Sequence, residues 1–375
     1  RQGDPLSPYL FLLVSEGFSN LLAQAQRNKK LTGMQISRTG PSLTHIFFAD
    51  DSLVFCKADK KQAQEVMKIL QTYEKGSGQM INMEKSSVFF SKNVAKQVQE
   101  EICSSLQQVK VVKQGKYLGL PMVITRTKMQ IFGFIKDRCQ KSILNWRNTQ
   151  LSQAGKEVLL KAVIMAMPTY AMSCFKLPVR LCKDINSLMA RFWWGEEKGK
   201  TKMHWVSWKT LSTGKQAGGL GFKDLQSFNK ALLGKQIWRL LTCPNLLLSK
   251  VLRARYYPKT TLLSCELNGN ALWIWKSLMS AREEVQRGAR KQIGNGKSTR
   301  IWEDAWMLEG KGGKIESTKP PGCKVTKVSE LISNFRWKSA LIFRLFSSQE
   351  AGHILKTPIS LTGRQDGYFW THRKN

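Results

Sequence analysis

Asp50 and Asp51 stand side by side between two apolar runs, in His45-Ile-Phe-Phe-Ala-Asp-Asp-Ser-Leu-Val-Phe-Cys56. Ile46 to Ala49 and Ser52 to Cys56 each read as a strand, which puts the carboxylate pair at the turn of a hairpin. Adjacent carboxylates repel and raise each other's proton affinity unless a cation or hydrogen-bond donors offset them. Phosphoryl transfer by two Mg2+ (or Mn2+) ions roughly 3.5 to 4 Å apart needs hard oxygen ligands held this rigidly, one ion activating the attacking hydroxyl and the other steadying the leaving group. The plainer alternative is a polar turn, where Asp is common.

The elements around the pair follow from capping and periodicity. Ser7 caps a helix with Pro8 at its first position, and Leu10, Leu13, Gly17, Leu21 and Ala25 follow one face to about Arg27. Asp59 caps a second helix bearing Ala63, Val66, Leu70 and Tyr73, ended by Gly76 and Gly78. Ser87 to Phe90 reads as a strand, Val94 to Leu106 as a helix, and Lys116 to Pro121 as a short strand or hairpin. This predicts an α+β domain with helices on one face of a single antiparallel sheet. Beyond it helical patterns dominate: Thr127 to Trp146, Leu151 to Met167 stopped or kinked by Pro168, Leu181 to Trp194, Asp224 to Leu241, Pro244 to Tyr256 and Ala271 to Gly288. A hairpin is expected around Asn295-Gly296, and Leu308 to Lys324 reads as a linker.

All twelve tryptophans lie at or after Trp146, a composition shift that marks a domain boundary. At 375 residues the chain exceeds one ordinary core, and 42% hydrophobic residues suffice to pack more than one. Sixty Lys and Arg against 26 Asp and Glu give a formal charge of +34, which calls for a polyanionic partner, nucleic acid first. No apolar run reaches the roughly 18 to 20 residues of a spanning helix. The eight cysteines form no C-x-x-C half-site and only four histidines accompany them, so they read as reduced core thiols and not as a zinc site. The first residues include no initiator Met and the last close no element, so both ends read as cuts through a longer frame.

Phe48-Ala-Asp-Asp51 resembles the aromatic-x-Asp-Asp box of reverse transcriptases, and Arg1-Gln-Gly-Asp-Pro-Leu-Ser-Pro8 resembles their template and nucleotide box. Ser77-Gly-Gln-Met-Ile-Asn-Met-Glu-Lys-Ser86 looks like the next box, and Tyr117-Leu-Gly-Leu-Pro121 like the primer-grip hairpin. Four boxes in family order resemble the plant LINE-type, non-LTR retrotransposon branch. Leu151 to Lys156, Pro168 to Cys174, Phe192 to Gly195, Gly218 to Phe222 and Trp238 to Leu240 resemble the region after the polymerase, and Asp366 to Trp370 the start of a zinc-binding-type domain.

The resemblance implies a partial palm over 1–122, a thumb-like helical region over 123–195, a helical and aromatic connection over 196–308, and a linker with the start of a C-terminal domain over 309–375. It implies Asp50 as main metal ligand with Asp51 beside it, and Phe48 and Ala49 under the primer end. Arg1, Gln2 and Gly3 would face the template base and incoming nucleotide, Gly3 because a side chain would block backbone approach. Lys85 would sit near the pyrophosphate, and Tyr117, Leu118 and Gly119 would position the primer. The partners implied are an RNA template, a DNA primer or duplex and dNTP, at chromosomal DNA in the nucleus. A third catalytic Asp expected upstream of the Arg-Gln-Gly box is not in this chain, so the piece is expected to be inactive alone.

Two other readings start from the residues. Lys156, Lys161, Lys176, Arg180, Arg253 and Arg255, interleaved with Trp146, Trp205, Trp208 and Trp238, could line a groove that binds nucleic acid without catalysis. The frame could also be a translated pseudogene. Gly218-Gly-Leu-Gly-Phe222 lacks the Lys-Ser/Thr ending of a phosphate loop and reads as a turn.

Overall fold

A computed structural model describes residues 3–113, 115–122, 127–147, 151–197 and 200–371. The chain is mixed α/β and divides into two compact units, Arg1–Arg126 with Asn245–Thr260, and Thr127–Pro244 with Thr261–Asn375. The single antiparallel sheet expected of the first region is not formed among the described residues. Strands pair only two at a time, and Ser87–Val88 with Lys110–Val111 pairs in parallel. Most of these strands are two residues long, too short to offer a ladder that a third strand could join.

In the first unit the opening helix spans Ser7–Arg27, and Ser7 lies inside it instead of capping it. Asp4 does the capping work from two residues further out: its carboxylate accepts from the Leu6 N–H at 2.8 Å, and its carbonyl accepts from the Ser7 N–H at 3.1 Å. Of the expected apolar stripe only Ala25 is buried: Leu10 and Leu13 are 59% and 70% exposed, Gly17 is exposed and Leu21 half-buried, and the core is made one position on, by Phe18 and Leu22. The buried face packs on Val66 and Ile69 of the helix Lys60–Ser77. That helix has the expected ends: Asp59 accepts from Lys61 N–H, and Gly78 closes it at φ 72°.

The second unit packs the helices Lys128–Arg147, Thr169–Cys174, Val179–Trp194 and Leu225–Thr242. Ser152 caps Gln153–Leu159, and a π-helical turn over Leu160–Ile164 carries the chain to Pro168. The single helix expected from Ala271 to Gly288 is two, Trp273–Met279 and Arg282–Gly288. At the break Ser280 Oγ turns back to donate to Ser277 O at 2.7 Å, and Ala281 is wholly buried.

The hairpin expected around Asn295-Gly296 is replaced by a longer-range pairing. Ala289–Gln292 runs antiparallel to Gly367–Trp370, and the intervening loop wraps the Asp366 carboxylate, which accepts from Gly294 N, Gly296 N, Ser298 N, Ser298 Oγ and Thr299 Oγ1. The stretch read as a linker is tied in as well: Ile315 is buried, and Glu316 and Ser317 N–H donate to Glu350 Oε1 at 2.7 and 2.9 Å. All eight cysteines are free thiols, and burial pushes those of Cys139 and Cys182 up to about 11. Among the described residues no helix is long and apolar enough to cross a membrane.

Candidate active site

The expected hairpin forms, with its turn one residue earlier than the strand pattern puts it, so that Asp50 lies in the turn and Asp51 opens the second strand. His45–Phe48 pairs antiparallel with Asp51–Val54, Phe48 facing Asp51, so Ala49 and Asp50 form a two-residue turn. Ala49 takes φ 50°, a left-handed value that an alanine adopts at a cost of about 1–2 kcal/mol, where a hairpin of this length usually uses Gly or Asn. Strain of this kind concentrates at functional turns.

The hairpin is anchored below its tip. Phe47 stacks on Phe18 with ring centroids 5.0 Å apart, and Phe18 stacks in turn on Tyr73 at 4.6 Å. His45 Nε2 lies 2.9 Å from Ser19 Oγ and its Nδ1 2.9 Å from Thr44 Oγ1. Burial holds the His45 imidazole below its usual range, against the upward pull of Glu16, so it serves as a neutral link between helix and hairpin. Above this anchor Phe48 is 60% exposed, and Ala49, Asp50 and Asp51 face solvent.

The second hairpin is equally tight. Lys116–Tyr117 pairs with Leu120–Pro121, and Leu118 and Gly119 turn at φ 49° and 76°, both left-handed as the favoured two-residue turn demands. Burial raises the Tyr117 phenol above the usual range, and the Asp51 carboxylate raises it further. Its hydroxyl is buried and has no hydrogen-bond partner among the described residues.

The other expected site residues are less gathered. Arg1 and Gln2 lie outside the described residues. Gly3 has φ 92°, and a Cβ there would meet open space, so backbone conformation by itself calls for glycine. Lys85 is exposed, its N–H held by Asn82 Oδ1 at 3.0 Å, and it makes no ion pair among the described residues. Asp50 and Asp51 are the right kind of donor for Mg2+, yet among the described residues no group of three His, Cys, Asp or Glu side chains could hold a metal ion. Two carboxylates alone are an incomplete set for a pair of ions.

Residues 1–122 match the family model described as "Reverse transcriptase (RNA-dependent DNA polymerase)". The Arabidopsis thaliana protein named "Uncharacterized mitochondrial protein AtMg00310" is 43% identical over 146 residues, which are 39% of this chain and 95% of that protein. The chain belongs to a reverse transcriptase-related family. A second A. thaliana relative, "Putative ribonuclease H protein At1g65750", is 30% identical over 261 residues, 67% of this chain and 42% of its own length. A third, "Uncharacterized mitochondrial protein AtMg01250", is 50% identical over 52 residues, 14% of this chain and 43% of its own length. In this reverse transcriptase-related chain both hairpins fall inside the matched 1–122.

Residues proposed from sequence as a basic groove divide into two kinds. Lys161 is turned inward: its ammonium pairs with Glu157 at 2.6 Å and donates to Leu220 O at 2.6 Å, tying the helix to the Gly218–Phe222 turn. Lys156 donates to Trp193 O at 3.4 Å, Trp208 stacks on Phe222, and Trp238 meets Trp370 edge to face. Arg180, Arg253 and Arg255 remain exposed, and Trp205 is 80% exposed. Lys161→Met should therefore lower the stability of the second unit by about 1–3 kcal/mol while leaving nucleic-acid affinity unchanged. Arg253→Ala should do the reverse, flattening the log–log salt slope by about 0.9 on duplex if it meets a phosphate. Parallel unfolding and salt-titrated binding curves separate the two.

Proposed function

We propose that this chain is the later palm and the downstream region of a LINE-type, non-LTR retrotransposon RNA-directed DNA polymerase, acting by nucleotidyl transfer in the intact parent protein. The observation that carries the reading is that two tight hairpins, His45–Phe48 with Asp51–Val54 and Lys116–Tyr117 with Leu120–Pro121, both fall within the residues 1–122 that match the reverse transcriptase family. In this reading Asp50 and Asp51 are metal ligands, Phe48 and Ala49 underlie the primer end, Tyr117, Leu118 and Gly119 position its backbone, and Arg1, Gln2, Gly3 and Lys85 contact template, nucleotide and pyrophosphate. A divalent cation would supply charge neutralisation for the transferred phosphate when bound; RNA, DNA primer and dNTP are the partners, in the nucleus. The incomplete ligand set motivates the second half of the proposal, that the chain alone does not extend a primer.

The test is calorimetric titration of Mn2+ into the wild type and into the Asp50→Ala, Asp51→Ala double variant, beside a primer-extension assay. Weak binding that the double variant loses, with no extension by either, is the expected result. Equal binding by both proteins would remove Asp50 and Asp51 as ligands; Mg2+-dependent extension by the wild-type chain would falsify the inactivity.

Binding without catalysis is the second reading, supported by the +34 charge and the exposed Trp205, Arg253 and Arg255. It predicts an affinity that falls steeply with salt and is indifferent to Asp50→Ala. An affinity insensitive to salt would sink it.

A further inference from the structure

Arg290 is an unusual residue for the position it occupies in the second unit. It stands on the strand Ala289–Gln292 opposite Phe369, and only 9% of it is exposed. Its two hydrogen bonds both leave from Nη1, to Arg287 O at 3.2 Å and Ala289 O at 2.9 Å, at the end of the helix Arg282–Gly288. Among the described residues Nε and Nη2 donate to nothing and no carboxylate pairs with the group. Two carbonyls on one nitrogen offset part of the charge. Neither Nε nor Nη2 is among the fully buried side-chain atoms without a partner, so this edge of the fork is open where a guanidinium ordinarily meets a carboxylate or phosphate through two bonds.

A glycine-rich loop lies against the Nε end of the guanidinium. Gly310, Gly312 and Gly313 all have positive φ, of 94°, 68° and 68°. Gly313 O accepts from Trp306 N and Met307 N at 2.8 and 3.0 Å, which fixes the loop, and a Cβ on Gly313 would collide with Nε and Cδ of Arg290. Glycine is thus required for the backbone to approach the cation, while the space beside Gly312 is open. The nearby Glu309 is already engaged by Lys356 at 3.2 Å and His353 at 3.7 Å. Burial lowers the Arg290 guanidinium's hold on its proton, and no acidic neighbour opposes that effect.

We propose that Arg290 and the Gly310–Gly313 loop form an oxyanion site for a phosphate group, either free phosphate or a nucleic-acid phosphodiester. The site lies outside the reverse transcriptase match and does not depend on the polymerase reading. The missing half of the guanidinium fork is what a phosphate would complete.

The first measurement is thermal unfolding of the full chain, followed by tryptophan fluorescence, with inorganic phosphate replacing chloride at constant ionic strength. A saturable rise of about 3–6 °C at roughly tenfold excess over Kd is expected for the wild type, with most of it absent in Arg290→Met. The same melting curve in both salts, or an undiminished rise in Arg290→Met, overturns the proposal. If Arg290→Met does not fold, phenylglyoxal labelling of the wild type takes its place. Phosphate should protect the Arg290 peptide several-fold, and lack of protection is equally fatal. Protection by a short single-stranded oligonucleotide at lower phosphate equivalents than inorganic phosphate identifies the phosphodiester as the ligand; protection by inorganic phosphate alone identifies the free anion.

Discussion

Asn229→Leu should destabilise the second unit by about 3–5 kcal/mol, the largest loss expected from a single substitution away from the hairpins. Asn229 is 3% exposed on the helix Leu225–Thr242 and uses its amide fully. Its Nδ2 donates to Met172 O at 2.8 Å and Phe175 O at 2.9 Å, and its Oδ1 accepts from Leu177 N–H at 2.8 Å. These backbone groups lie at the end of the short helix Thr169–Cys174, where carbonyls have no intrahelical partner. Leucine fills similar volume, so the loss isolates three orphaned polar groups, each costing about 1–3 kcal/mol when buried. Asn229→Asp should also destabilise, because it keeps the acceptor but removes both donors and buries a charge. All twelve tryptophans belong to the second unit, so their fluorescence in a urea titration reports that unit without contribution from the first. A change below about 1 kcal/mol would show that the three bonds contribute little.

Asp366→Ala should cost about 2–4 kcal/mol, and the wild type should show the same dependence as an acid limb. Burial pushes the Asp366 carboxyl up, but the backbone N–H groups of Gly294 and Gly296 and the hydroxyls of Thr299 and Ser298 outweigh it and hold the group below its usual range. A depressed carboxyl contributes stability above its unfolded value, near 3.9, and that stability is lost as pH falls through the folded value. The melting temperature of the second unit should thus be level from about pH 5 to 7 and fall below about 4. Asp366→Asn should show a shallower fall, not a flat one, because hydrogen bonds hold Glu350 and Glu330 down as well. An acid limb identical in Asp366→Asn and wild type would mean that the loop does not depend on the carboxylate.

Features legible in the sequence were those whose partners are close along the chain. The hairpin was readable because two apolar strand runs flank the Asp-Asp pair directly, although the turn itself is Ala49-Asp50, with Phe48 paired to Asp51 across it. The helix Lys60–Ser77 was readable from both ends, since Asp59 caps it and Gly78 closes it. Ser7 shows where such reading stops: Asp4, two residues before the cap position, has the free carboxylate that ties the turn, and Ser7 continues the helix.

Sequence by itself determined the site's residue types and the two tight hairpins that present them, because turn geometry and alternating strands are local, and it determined the basic charge. Tertiary structure decided which of those residues meet. It turned Lys161 inward onto Glu157 and Leu220, and closed the 294–299 loop on Asp366 instead of on itself. A carboxylate or ammonium can satisfy any donor or acceptor that folding carries to it. The choice among distant partners is made by burial, where an unmatched polar group is costly, and burial depends on the whole packed chain.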